Sequence, residues 1–230
     1  MNIVIATLKS WNVELAEQLK EELKPLHQVT ILTKKEELTI EALEKIQPSY
    51  VFFPHWSYII KKEIYEKFNC VVFHMTDLPF GRGGSPLQNL IANGYKETKI
   101  SAIKVIEKVD AGPIYMKEPL TLEGSAEEIF RRAANIIFRK MIPDFLKENP
   151  VAVPQTGEPL TFRRRKPEES ELVGDMSLDK IYDYIRMLDA EGYPNAFLSF
   201  GKYRLLFQKA RKDGKTVIAE VRFTETENES

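Results

Sequence analysis

Short β-branched or aromatic runs alternate with segments of helical period over the first 75 or so residues, and that alternation sets the class of fold. Asn2–Leu8 is an apolar run of strand length, and Val13–Leu23 has helical spacing with charges on its opposite face. Gln28–Leu32 reads as a strand, Thr39–Ile46 as a helix and Tyr50–Phe53 as a strand. Glu63–Phe68 follows as a short helix and Cys70–Phe73 as a fourth strand. Strands returning at such short intervals, with helices between them, build a mostly parallel sheet covered on both faces. The expected class is therefore α/β, a Rossmann-like mostly parallel sheet with helices on both faces. The stretch after the first strand, ATLKSWN, has no glycine. The glycine-rich turn that cradles a dinucleotide pyrophosphate is thus missing.

Further along, Pro86–Asn93 reads as a helix with proline in its first turn. Lys99–Glu107 alternates with period two and is a strand, and Ile114–Lys117 reads as another. Ser125 followed by Glu128 matches a capping box that opens a helix running to about Leu146. The segment VPQTGEPLTFRRRKPEES has turn chemistry and a basic run, Arg163 to Lys166, and reads as a hairpin and linker. Asp175 or Ser177 caps a helix over Leu178–Asp189. From Ala196 the chain alternates as strands with a turn at Asp213–Gly214, a small β-rich C-terminal module, and the final TETENES reads as frayed. The expected division is 1–172, including the linker hairpin from about 151, and 173–230.

Composition narrows the partners. Hydrophobic residues make up 43% of the 230, enough for a sizeable core, and 33 basic residues face 34 acidic ones. A formal net charge of −1 argues against bulk phosphate attraction as the main binding force, so nucleic acid is not the expected partner. The single cysteine, Cys70, leaves no intrachain disulfide and no multi-thiolate zinc site, and no metal is expected. There is no basic n-region followed by a long apolar stretch, and no run approaches the ~18 residues of a membrane span. The default is a cytoplasmic protein without membrane contact. The small β module offers a surface on which a homodimer could form.

Chemistry concentrates after the fourth strand. Ligands of open parallel sheets sit beyond the carboxyl ends of the strands, and His74 stands at such an end. The loop behind it, MTDLPFGRGGSP, holds Gly81, Gly83, Gly84, Pro79 and Pro86. Glycines there let backbone approach a ligand or adopt positive φ. Arg82 in this loop either meets a carboxylate or phosphate or braces the turn. A second tight turn, VDAGPIY, places Asp110 at the end of another strand. An imidazole beside a carboxylate is a pair suited to moving protons.

The two loops together resemble those of the folate-dependent formyltransferases. HMTDLPFGRGGSP is similar to the family's His-x-Ser-x-x-Pro-x-x-Arg-Gly-x-x-Pro loop at His74, Pro79, Arg82, Gly83 and Pro86, with Thr76 for the serine. VDAGPI resembles its Asp-x-Gly-Pro-Ile loop, and FRRRKPEES and IRMLDAEGYPNAF resemble stretches at and beyond the end of its catalytic domain. The resemblance implies transfer of a formyl group from 10-formyltetrahydrofolate to an amine, with His74 and Asp110 as catalytic residues. It implies that His74 stabilises the tetrahedral oxyanion and moves the amine's proton, while Asp110 orients it and favours its charged form. The pterin would lie against His55 and Trp56 on one side and Ile106 and Val109 on the other. Thr76, Arg82, Gly83, Gln88 and Asn89 are the expected substrate-binding residues.

The family's triad also has an asparagine two residues before the histidine, and here that position is Val72. Losing one oxyanion donor typically costs about 10²–10³ in rate. Thr76, Gln88, Asn89, His55 or a backbone N–H of the glycine loop are the residues that could replace it. Relatives act on nucleotide-linked amino sugars, methionyl-tRNA or glycinamide ribonucleotide. The near balance of basic and acidic residues in the tail and the aromatic segment VFFPHWSYII favour a sugar-nucleotide amine here. The alternatives are methionyl-tRNA formylation, hydrolysis of formyltetrahydrofolate, and a folate- or nucleotide-binding protein that has lost catalysis through Val72.

Overall fold

The computed structural model describes residues 1–225. The chain divides into two compact units, each assembled from several stretches. The first comprises Met1–Gly83, Thr98–Leu120 and Arg131–Thr161; the second comprises Gly84–Glu97, Thr121–Phe130 and the chain from Phe162 onward.

The principal sheet holds β1 (Asn2–Ala6), β2 (Gln28–Leu32), β3 (Tyr50–Phe53), β4 (Cys70–His74), β6 (Glu97–Lys104) and β7 (Ile114–Thr121), in the order β2-β1-β3-β4-β6-β7. The first four strands are parallel, and β6 runs antiparallel to β4 with Val72 opposite Ile103 and His74 opposite Ser101. The expected class is thus the observed one. β1 stops at Ala6, short of the expected Leu8; Thr7 just beyond it donates its hydroxyl to the Pro54 carbonyl at 2.8 Å.

Both faces of the sheet carry hydrocarbon, which is why its strands read as continuous apolar runs rather than as alternation. On one face Val4, Ala6, Val51, Phe53 and Cys70 pack with Leu43 of α2 (Ile40–Ile46) and Ile64 of α3 (Lys62–Tyr65). On the other, Phe145 of α6 (Ile142–Glu148) meets the rings of Tyr50, Phe52 and Tyr115 edge-on at 4.9, 5.2 and 4.9 Å. Side chains alternate along a strand, so Val72 and His74 share the face of Cys70. Val72 packs on that first cluster, as does Trp56.

The capping box forms as the sequence predicts. The Ser125 N–H donates to Glu128 Oε2 at 2.7 Å and the Glu128 N–H to Ser125 Oγ at 3.3 Å, opening α5 (Ala126–Ile136). The helical path continues to Glu148 through a π-turn at Ile137–Met141, next to Pro143. Pro143 has no N–H to give to the carbonyl four residues back, and the wider turn spans that position.

One expectation fails. The segment from about residue 151 is not a hairpin on itself. Val153 bridges Ile114 instead, and β8 (Leu160–Phe162) pairs with β5 (Phe80–Gly83). In the second unit, Ser177 caps α7 (Leu178–Arg186), whose buried Arg186 is held at two of its nitrogens: Nε donates to Asp183 and Nη1 to the carbonyls of Leu122 and Gly124. The strands β9 (Ala196–Phe200), β10 (Tyr203–Asp213) and β11 (Thr216–Glu225) form an antiparallel sheet. Thr224 and Glu225 of the tail expected to fray belong to β11; 226–230 lie outside the described residues.

Candidate active site at the rim of the parallel sheet

His74 ends β4, and the next residues turn back to form β5, so the imidazole and the glycine loop share one rim. The turn contains a cis Leu78–Pro79 bond and is pinned from below. Lys117 donates to Asp77 and to the Leu78 carbonyl, and Lys99 lies 3.0 Å from Asp77. Burial alone would raise the Asp77 carboxyl, but the hydrogen bonds from Lys117 and Lys99 outweigh it and hold the group below its ordinary range. Thr76 is fully buried, and its hydroxyl donates to the Gly81 carbonyl at 3.2 Å.

The same Gly81 carbonyl lies 2.8 Å from His74 Nε2. A carbonyl only accepts, so the contact is made by an Nε2–H. The other nitrogen, Nδ1, faces Asp110 Oδ1 at 3.6 Å, a close charge contact longer than a hydrogen bond. Asp110 Oδ2 accepts from the Gly83 N–H at 2.9 Å. Both side chains are largely withdrawn from water, with 10% and 15% of their side-chain surface exposed. Asp110 itself sits at φ 53°, a left-handed conformation that aspartate tolerates better than most residues. Two residues on, Gly112 has no room for a side chain: a Cβ there would stand 1.7 Å from the Lys104 carbonyl oxygen. The glycine of the Asp-Ala-Gly-Pro turn is therefore required by close backbone approach.

Where the family pattern has an amide, Val72 presents hydrocarbon to the apolar cluster. Three of the side chains that could replace that donor make hydrogen bonds to backbone carbonyls instead. Thr76 donates to Gly81, Gln88 donates to the Met187 carbonyl at 3.2 Å, and Asn89 donates to the carbonyls of Gly84, Ser85 and Arg163. The contacts of Gln88 and Asn89 lie within the second unit and serve its backbone.

Of the other expected residues, His55 and Trp56 follow β3, and Ile106 and Val109 lie between β6 and β7. His55 adopts φ 53° just beyond β3 and meets Trp11 edge-on at 6.3 Å. Burial, with a smaller push from Lys9, lowers its pKa to about 4. Trp56 meets Phe53 and Tyr58 edge-on, and its buried indole N–H has no protein partner. Ile106 and Val109 are exposed, 37% and 56% of their surface facing solvent. A buried donor left without a protein partner, as at Trp56, is a group that a ligand acceptor would satisfy. Arg82 braces the turn: its Nε and Nη2 both donate to Gln155 Oε1, at 3.1 and 2.6 Å. Gln155 was not among the residues expected from sequence. Cys70 is buried, which pushes its thiol up to about 12 and leaves it inert. Among the described residues no three His, Cys, Asp or Glu side chains gather as a metal site would require, and no helix is long and apolar enough to cross a membrane.

Comparison with known proteins fits this geometry. The sequence model described as "Formyl transferase" matches residues 5–136, and that of the "Methionyl-tRNA formyltransferase, C-terminal domain" matches 167–224. A solved structure, the methionyl-tRNA formyltransferase from Clostridium thermocellum, is 58% identical with a TM-score of 0.97, covering 98% of this chain and 100% of that one. The methionyl-tRNA formyltransferase of Rickettsia felis is 28% identical over 183 residues, 76% of this chain and 60% of that protein. The chain thus spans about 60% of the length of such curated relatives. A sugar N-formyltransferase from Shewanella shares the fold at 15% identity, with a TM-score of 0.74 over 94% of this chain and 99% of that one.

Proposed function

Because this chain belongs to the formyl transferase family, a family of formyl-transferring enzymes, we propose that it moves a formyl group from 10-formyltetrahydrofolate to a primary amine. The observation that carries the reading is the juxtaposition of His74 and Asp110, 3.6 Å apart at the carboxyl end of β4. The folate supplies the formyl carbon; the chain supplies orientation and proton handling. His74 holds a proton at Nε2 and gives up its hydrogen bond to Gly81 when substrate oxygen arrives, an exchange of one acceptor for another that costs little net energy. As the amine's new C–N bond forms and the formyl carbon's bond to the folate nitrogen breaks, the Nε2 proton passes to that departing nitrogen and the amine's proton takes its place at Nε2; Asp110, fixed by the Gly83 N–H, faces Nδ1 and steadies the ring through the exchange. Trp56, Ile106 and Val109 form the wall for the pterin, and burial keeps His55 neutral there above about pH 4.

Methionyl-tRNA is the acceptor best supported, on the names of the relatives, although the sequence alone favours a sugar-nucleotide amine and leaves tRNA formylation among the alternatives. A second reading, an amine on a nucleotide-linked sugar, rests on the tail's near balance of charge, since tRNA binding calls for a basic surface. Part of the basic run is also engaged: Arg163 pairs with Glu169, and Arg165 donates to the Glu169 carbonyl.

One assay separates these. The protein is incubated with 10-formyltetrahydrofolate alone, with methionyl-tRNA, or with a panel of amino-sugar nucleotides, and release of tetrahydrofolate is followed. Release dependent on methionyl-tRNA is the expected result. Release with a sugar amine supports the second reading. Release without any amine identifies a hydrolase, and binding without release identifies a protein that has lost turnover.

A further inference from the structure

We infer that Gln155 is a positioning residue of the reaction centre: one side-chain amide that fixes the Asp110 turn against the Arg82 loop and thereby sets the carboxylate in front of His74. The inference rests on the proposed role of His74 and Asp110.

A primary amide accepts two hydrogen bonds and donates two, and Gln155 uses all four. Its Oε1 accepts from Arg82 Nε at 3.1 Å and Nη2 at 2.6 Å. Its Nε2 donates to the Asp110 carbonyl at 2.9 Å and the Gly112 carbonyl at 2.8 Å. The orientation is not interchangeable. A guanidinium only donates and a carbonyl only accepts, so rotating the amide by half a turn would set like groups against each other in all four contacts.

The contacts close a circuit. Gln155 holds the backbone of Asp110; the Asp110 carboxylate holds the Gly83 N–H at 2.9 Å; Gly83 follows Arg82 in the chain; and Arg82 returns to Gln155. The remaining carboxylate oxygen, Oδ1, is the one that faces His74 Nδ1. Gln155 is itself anchored, because Val153 two residues earlier exchanges both backbone hydrogen bonds with Ile114, at 2.8 and 2.9 Å. On its other side the turn is held by Lys104, whose N–H donates to the Pro113 carbonyl at 2.9 Å. A non-glycine residue kept at φ 53° needs such support on every side. Without Gln155, two carbonyls and a guanidinium lose their partners together, and the carboxylate is free to leave the imidazole.

Two variants separate positioning from mere stability. Gln155→Met matches the length and makes none of the four bonds. Gln155→Glu keeps an acceptor for Arg82 but turns oxygen toward the two carbonyls. Both are expected to lower kcat by roughly 10–100-fold while the KM for 10-formyltetrahydrofolate changes by less than about threefold, the signature of a displaced reacting group. The second readout needs no turnover. With only three histidines in the chain, the ring nitrogen resonances of His74 can be assigned by nuclear magnetic resonance. They are expected to shift in folded Gln155→Glu while those of His27 stay in place. Unchanged His74 resonances, or an unaltered kcat in either folded variant, overturn the inference. Should the wild type transfer no formyl group, the resonances still decide whether Gln155 positions the pair.

Discussion

Two histidines stand just past the carboxyl ends of neighbouring parallel strands, His55 beyond β3 and His74 at the end of β4, and their surroundings differ in kind. His74 is set between a carbonyl and a carboxylate, the Gly81 oxygen at 2.8 Å and Asp110 Oδ1 at 3.6 Å. His55 lies beside an indole and a lysine, and burial brings its pKa down to about 4. The strand-end rule that marked one applies equally to the other. Chemistry is assigned by surroundings: acceptors at both ring nitrogens in the first case, which let the imidazole carry and pass a proton, and burial with a nearby lysine in the second, which keeps the ring neutral.

The sharpest way to break this comparison is to remove each ring in turn. His74→Ala is expected to lower kcat by about 10²–10⁴-fold, the usual worth of a positioned acid–base group, with little change in the KM for the formyl donor. His55→Asn, chosen because asparagine tolerates the left-handed backbone, is expected to act mainly on the donor KM. Steady-state release of tetrahydrofolate measures both. If the two variants lose kcat equally, the contrast between a reacting and a lining histidine is wrong.

A second contrast is thermodynamic. A histidine whose folded pKa lies near 4 refuses the proton that the unfolded chain accepts near 6.5. Its contribution to stability is therefore complete above about pH 6.5 and is lost as the pH falls toward 4, up to about 3 kcal/mol over that window. Denaturant unfolding at a series of pH values reads the slope, and His55→Asn should flatten it. Asp77 is the companion to watch. Its carboxyl is held below the ordinary range, so its contribution is lost at still lower pH and the two limbs are separable.

Much of this architecture could be read from the chain. The strand runs carry β-branched and aromatic residues on both faces, and the helices carry local caps at Ser125 and Ser177, so each element is announced by residues close in sequence. His74 and Asp110 were legible because each sits where a strand gives way to a glycine turn. What local chemistry does not encode is who pairs with whom. The turn-rich segment after Pro150 reads as a hairpin, yet its strand joins Phe80–Gly83 far upstream, and Val153 joins Ile114. Gln155 was missed for the same reason. A lone glutamine among turn residues carries no mark of its own until distant chain brings Arg82 and Asp110 to it. Gln88 and Asn89 have the right chemistry for substrate but are engaged by backbone carbonyls, a demand that sequence does not display.

The smallest expected effect tests the residue that shares His74's face of β4. Val72 packs on the apolar cluster that also holds Trp56 against the sheet, so an amide there exchanges hydrocarbon contact for a polar group with few partners. Val72→Asn is expected to lower unfolding stability by about 1–3 kcal/mol, the cost of a buried polar group left unmatched. The same amide stands one alternation from His74, where the family pattern has its oxyanion donor. If the valine enzyme works without that donor, restoring it should raise kcat by roughly tenfold, a part of the range seen when such donors are deleted. The two effects oppose each other on independent readouts, denaturant midpoint and turnover. A variant that is destabilised yet no faster would mean that the rim already supplies the donor from a backbone N–H, and that Val72 belongs to the core rather than to the chemistry.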